Sequence, residues 1–183
     1  MAVIKTRAIS FLWGLAEASF FFIVPDVWLS RIVLKDKKEA YINITFALIG
    51  ALLGGCVLFF TAPLYAQLLH GWLDYIPGIS NSLIEKSHDQ LTEIGIFEAL
   101  LSGMFAGIPY KLYAYWAGVM GYSLPLFLLA SAIARILRFA LVTFGTQLIA
   151  KLLSPCLKLK ALIIVHAICW VAFYIFYFYK VGL

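Results

Sequence analysis

Charge is scarce in this sequence. Of 183 residues, 14 are Lys or Arg and 9 are Asp or Glu, 13% in all, where soluble domains carry about 25%. Hydrophobic residues make up 64% and the mean hydropathy is +0.98. A soluble fold of this size has too little interior to hide that much apolar surface. Lipid must be the solvent for much of the chain. Cysteine is scarce as well. Cys56, Cys156 and Cys169 lie in or beside apolar runs, with no CxxC pair and no metal-ligand spacing. They read as small core or lipid-facing residues, and neither a metal nor a cofactor is expected.

Enzyme signatures are missing too. Lipid phosphatases of the acid-phosphatase type need a spaced Lys/Arg, Ser-Gly-His and His set, and CDP-alcohol transferases need a run of Asp residues with Gly and Arg. Neither pattern is present, and His88-Asp89 has no nucleophile at a known spacing. The expectation is a protein without enzymatic activity. The net charge of +5 does not point to nucleic acid, because the basic residues form short clusters between apolar segments, as on cytoplasmic membrane flanks. Lys5 and Arg7 resemble the n-region of a signal peptide. The run behind them carries Glu17, is rich in Phe and lacks a small-x-small cleavage site, so the segment is expected to be retained.

What is present is a set of five apolar stretches, at roughly 9–30, 41–69, 94–120, 122–150 and 161–179. The last would span about 28 Å as a helix, enough for one crossing. Its aromatic end, Trp170 to Tyr179, closed by Lys180, reads as an interfacial belt. Between them, 70–93 is polar and reads as a loop or short surface helix. The first and third stretches are unusual. One holds Glu17, Pro25 and Asp26; the other holds Glu98, Pro109, Lys111 and four glycines, among them Gly107. A plain spanning helix rarely carries so many breakers and charges.

Positive-inside counting decides how they run. Lys5 and Arg7 precede the first stretch, and Arg31, Lys35, Lys37 and Lys38 follow it. Both flanks are basic, so both belong on the cytoplasmic side. One crossing cannot satisfy that; a re-entrant hairpin returning near Pro25 can. Five simple crossings would export the 31–38 cluster. The expected architecture is therefore one all-α integral membrane domain over 1–183. It has a re-entrant hairpin at 9–34, a crossing at 41–69, an outer loop at 70–93, a second re-entrant hairpin at 94–120, a crossing at 122–150 and a last crossing at 161–179. The two halves form an inverted repeat, with the N-terminus cytoplasmic. Interrupted hydrophobic segments at matching places in two halves point to a transport site near the midplane.

Arg135 and Arg138 sit near the middle of 122–150, three residues apart and so on one helix face. Each costs about 2.5–3.5 kcal/mol at a helix centre. They need acids, a wet cavity or an anionic ligand, and Glu17 and Asp26 are the candidate partners. Such a set reads in two ways: a structural ion pair pinning the hairpin, or a site that exchanges partners with a charged headgroup or a proton. Lys111 is either a third cation for a phosphate or a side chain that snorkels to the outer interface. Glu98 is expected to cap or solvate its hairpin, and His166 to be a satisfied packing residue. Small residues at Ala47, Gly50, Ala51, Gly54 and Gly55 allow close helix contact, within the chain or in a homo-oligomer.

Three elements carry a family resemblance: Glu17-Ala-Ser-Phe-Phe-Phe-Ile-Val-Pro25-Asp26-Val27; Gly107-Ile-Pro109-Tyr110-Lys111 with Ala117-Gly118; and Ala134-Arg135-Ile-Leu-Arg138-Phe139. In their order and spacing the chain resembles the DedA family, the SNARE-associated or VTT-domain superfamily, and within it the YqaA-like branch. Many members carry a Pro-Gly-Glu hairpin tip, where this chain has Pro25-Asp26. The resemblance implies two opposed re-entrant hairpins, each paired with a transmembrane helix, in a bacterial inner membrane. It implies lipid movement of the flippase or scramblase type, of polyprenyl (undecaprenyl) phosphate carriers or phospholipids, with protons as a candidate coupling ion. By residue matching, Glu17 and Asp26 would be the essential acids and Arg135 and Arg138 the essential arginines. A proton-coupled transporter of a small solute or ion and a membrane scaffold without substrate are the competing expectations.

Overall fold

A computed structural model describes residues 2–181, with side chains for 3–180. All regular structure among the described residues is helical: α1 (Ala2–Ser19), α2 (Asp26–Val33), α3 (Lys37–Thr61), α4 (Ala66–Asp74), α5 (Asn81–Ala106), α6 (Tyr110–Val119), α7 (Leu124–Leu153) and α8 (Leu159–Val181). Three of them, α3, α7 and α8, are long and apolar enough to cross a membrane. By contrast, α2 has 8 residues and α6 has 10. At 1.5 Å per residue they reach about 12 and 15 Å, half of a bilayer core of about 30 Å.

The breakers set these lengths. Pro25 opens α2 with helical dihedrals (φ −59°, ψ −18°), the position where a missing N–H does no harm. Gly107 closes α5 in the left-handed region (φ 73°) and Pro109 precedes α6, the usual Gly-out, Pro-in punctuation. Gly95 (φ 77°, ψ 172°) breaks α5 into two helical pieces, a conformation for which glycine alone pays no steric penalty.

Side-chain pairs fix the directions. Arg7 pairs with Glu39 at 2.7 Å, and Ser10 Oγ–H donates to Asn43 Oδ1 at 2.6 Å. One and two turns on, a Cβ at Gly14 would collide with the Ala47 carbonyl, and one at Gly50 with the Phe11 carbonyl. Thus α1 and α3 run parallel in constant register, backbone against backbone, with their N-termini at one end. The chain gets back to that end through α2, whose Trp28 stacks on Trp13 of α1 (centroids 6.1 Å apart). In turn α3 and α7 are antiparallel: Phe59 stacks on Phe127 at one end and Tyr41 O–H donates to Gln147 Oε1 at the other.

A long helix, a short one and a long one follow one another again in the second half. The end of α5 is followed by the short α6 and the long α7, and Leu100 and Met104 share a small cavity with Ala134 and Arg138. The short helices are exchanged: α6 packs on α3, and α2 packs on α7. The last helix, α8, leans on α2 and barely touches α7.

Several boundaries differ from the sequence expectation. The crossing expected at 41–69 is shorter at its far end, because α3 stops at Thr61 and Pro63 lies in the turn before α4. The expected loop 70–93 holds most of α4 and the first half of α5, with buried Ile84, Ser87 and Leu91 on its inner face. The small-residue face of α3 is occupied within the chain, by α1 at Gly50 and Gly54 and by Tyr110 at Gly55. It is not available to a second copy. The aromatic end of α8 packs within the chain: Phe178 and Tyr174 meet Phe22 in the segment between α1 and α2.

Candidate functional site

Phe127 and Gln147 mark the two ends of the α3–α7 contact. Arg135 and Arg138 straddle its halfway point, and each meets a different acid. The Arg135 guanidinium donates to Glu17 Oε2 at 2.5 Å, with both side chains 4% exposed. The Arg138 Nε–H donates to Asp26 Oδ2 at 2.7 Å, with Asp26 1% and Arg138 24% exposed. The i, i+3 spacing places the two arginines on one face of α7. The doubling back of the chain brings the acids from α1 and from the start of α2.

Each pair has a distinct setting. Arg135 lies over the Tyr110 ring at 4.2 Å and near Phe139 at 5.7 Å, so a cation–π contact supplements its ion pair. Its Nε–H is buried with no hydrogen-bond partner, while the buried Tyr110 and Ser131 hydroxyls face each other. Asp26 Oδ1 is likewise buried and unpartnered. A low-dielectric cluster normally satisfies such atoms, so this one has spare hydrogen-bonding capacity.

Lys111 is buried, and its ammonium donates to the Phe21 carbonyl at 2.6 Å. It does not snorkel to an interface. It ties down the irregular segment between α1 and α2. Two further side chains tie that segment: Trp13 Nε1–H donates to the Ile23 carbonyl, and the Val24 N–H donates to the Tyr174 hydroxyl. Pro25 lies in the turn before α2, and Gly107 and Pro109 in the turn between α5 and α6. Glu98 is exposed. His166 shares a hydrogen bond with Ser30 (2.8 Å) and accepts from Trp170 Nε1–H (3.1 Å). Among the described residues no group of three or more His, Cys, Asp or Glu could hold a metal ion.

Two cavities of similar size approach the ion pairs from opposite ends. One, about 510 Å³, lies between α7 and α8; it extends from Asp26 and Arg138 to Leu34, Leu153 and Leu162 and is mostly apolar. The other, about 500 Å³, extends from Glu17, Lys111 and Arg138 to Ser80, Lys86 and Lys180. Leu162 and Lys180 lie near opposite ends of α8. Arg138, Met104, Phe105 and Phe173 line both cavities and form the partition.

Sequence reasoning missed Tyr110 as a ring partner of Arg135 and the Ser30–His166–Trp170 cluster. Tyr110 stands directly before Lys111 and carried a faint signal. The second grouping joins positions 136 residues apart and left none.

No family model matches the chain, and no solved structure matches it. Over 130 residues it is 27% identical to an uncharacterized protein of Haemophilus influenzae, a likeness covering 69% of this chain and 64% of that protein. The chain thus spans less than two thirds of the relative's length.

Proposed function

We propose that this chain is an integral membrane transporter that moves a lipid or lipid-phosphate headgroup across the bilayer, in the manner its DedA-like motifs imply. The observation that carries the reading is the pair of cavities that reach Arg138 from opposite ends, one lined also by its partner Asp26 and the other by Glu17. Arginine is suited to this exchange, because its planar fork holds a carboxylate at rest and a phosphate during passage with the same geometry. The apolar cavity beside α8 suits a hydrocarbon chain, and the lysines at the other cavity suit an anionic head.

In this reading α1–α2 and the end of α5 with α6 are re-entrant hairpins. The support is the length of α2 and α6, too short to span, and the Arg7–Glu39 pair, which sets the two basic flanks side by side. The Arg7 end is then cytoplasmic, in a bacterial inner membrane. Polyprenyl phosphate is the candidate cargo, and proton uptake by Glu17 or Asp26 is the candidate trigger that frees an arginine. The test is translocation of a labelled headgroup in proteoliposomes. Wild type should move it, and Arg138→Ala, purified as a folded monodisperse protein, should not. Unchanged transport in that variant overturns the proposal. Solute uptake driven by a pH gradient, with no lipid movement, would replace it with the small-solute reading.

A further inference from the structure

The helix α4 and its flanks hold large apolar side chains that no described residue covers. Leu68 is 71% exposed, Tyr75 88%, Tyr65 57% and Trp72 38%. At about 100° per residue, Leu68, Trp72 and Tyr75 fall within one narrow sector. Ala66, Leu69, His70 and Leu73 form a second sector turned to the protein, with Leu73 fully buried and the His70 ring edge-on to Tyr115 and Trp116. Gln67, Gly71 and Asp74 form a third, exposed and polar, and Asp74 accepts a hydrogen bond from Asn81. A helix with three such sectors sits where protein, water and hydrocarbon meet.

Its place in the fold says which hydrocarbon. It starts just beyond Thr61, the end of α3 remote from the Arg7–Glu39 pair. The Ala66 carbonyl accepts a hydrogen bond from the Tyr115 hydroxyl of α6. Tyr and Trp are the residues that settle at the headgroup level.

We infer that α4 lies flat in the bilayer interface, on the face opposite the Arg7–Glu39 end, with Tyr65, Leu68, Trp72 and Tyr75 inserted among the lipids. The helix holds no Lys or Arg, so this docking is driven by apolar burial and not by anionic lipid. Through Tyr115 and Trp116 it moors the second hairpin to the membrane surface. The inference does not depend on any transported substrate.

The test uses the full chain with Cys56, Cys156 and Cys169 replaced, carrying one spin-labelled cysteine at a time: Leu68→Cys, Tyr75→Cys or Gln67→Cys. These side chains are exposed, so labelling leaves the fold intact. Power saturation with oxygen and a water-soluble nickel complex is read in vesicles with and without an anionic lipid fraction. Labels at 68 and 75 are expected to be oxygen-accessible and nickel-shielded, at about 5–10 Å below the headgroups. The label at 67 is expected to be nickel-accessible, and none should respond to lipid charge. Nickel access at 68 and 75 equal to that at 67 overturns the inference. Shielding from both reagents, which would mean a second protein copy covering the stripe, also overturns it, as does insertion only with anionic lipid.

Discussion

Removing both members of the Glu17–Arg135 pair should cost less than the two single losses added together. The two side chains are 4% exposed each and joined at 2.5 Å. Glu17→Gln leaves a buried guanidinium without its countercharge, and Arg135→Met leaves a buried carboxylate without its cation. Each such loss is worth about 3–5 kcal/mol. Arg135→Met should be the worse of the two, because it also removes the contact over the Tyr110 ring, about 0.5–2 kcal/mol more. The double variant removes both charges and should recover part of the loss, with a coupling of about 0.5–3 kcal/mol. The assay is thermal unfolding of the purified proteins in one detergent. At about 2–4 °C per kcal/mol for a chain of this size, single variants should fall by about 6–20 °C and the double variant by clearly less than their sum. Single shifts below about 2 °C, or a double shift equal to the sum, would refute a buried coupled pair.

The second pair should behave asymmetrically: Asp26 is buried while Arg138 faces the cavities, so Arg138→Ala should unfold at lower temperature than Asp26→Asn in the same assay. In the α1–α3 seam, Gly50→Val drives a side chain into the Phe11 carbonyl and should prevent recovery of monodisperse protein by size-exclusion chromatography. Gly145→Ala, with nothing near its Cβ, should leave recovery unchanged. Lys111→Met removes the hydrogen bond to the Phe21 carbonyl and should raise amide exchange at residues 20–24 above wild type.

How much of this was legible beforehand depended on whether the signal was local. Pro25, Gly107 and Pro109 interrupt apolar runs, so the short helices they bound could be anticipated. The basic residues flanking the first stretch on both sides required the chain to return, and α1 and α3 do start at one end. The two arginines three residues apart demanded acids, and Glu17 and Asp26 were the only apolar-segment acids upstream of 41–69. Other features needed the third dimension. Pro63 stands inside a long apolar run, where hydropathy alone carries the helix past its end at Thr61. The amphipathic front of α5 was lost among polar residues of 70–93. Nothing local tells that the glycines of α3 face α1, that Lys111 reaches the Phe21 carbonyl, or that α8 stands away from α7 and leaves a cavity.

The account rests on the first segment doubling back, so that its acids meet the arginines halfway along α7. Single cysteines at Lys5, Lys38 and Ser82, in a chain with its own cysteines replaced, can be probed with a membrane-impermeant maleimide on sealed vesicles of known orientation. Positions 5 and 38 should react from one side and position 82 from the other. Reaction of 5 and 38 from opposite sides would contradict the account.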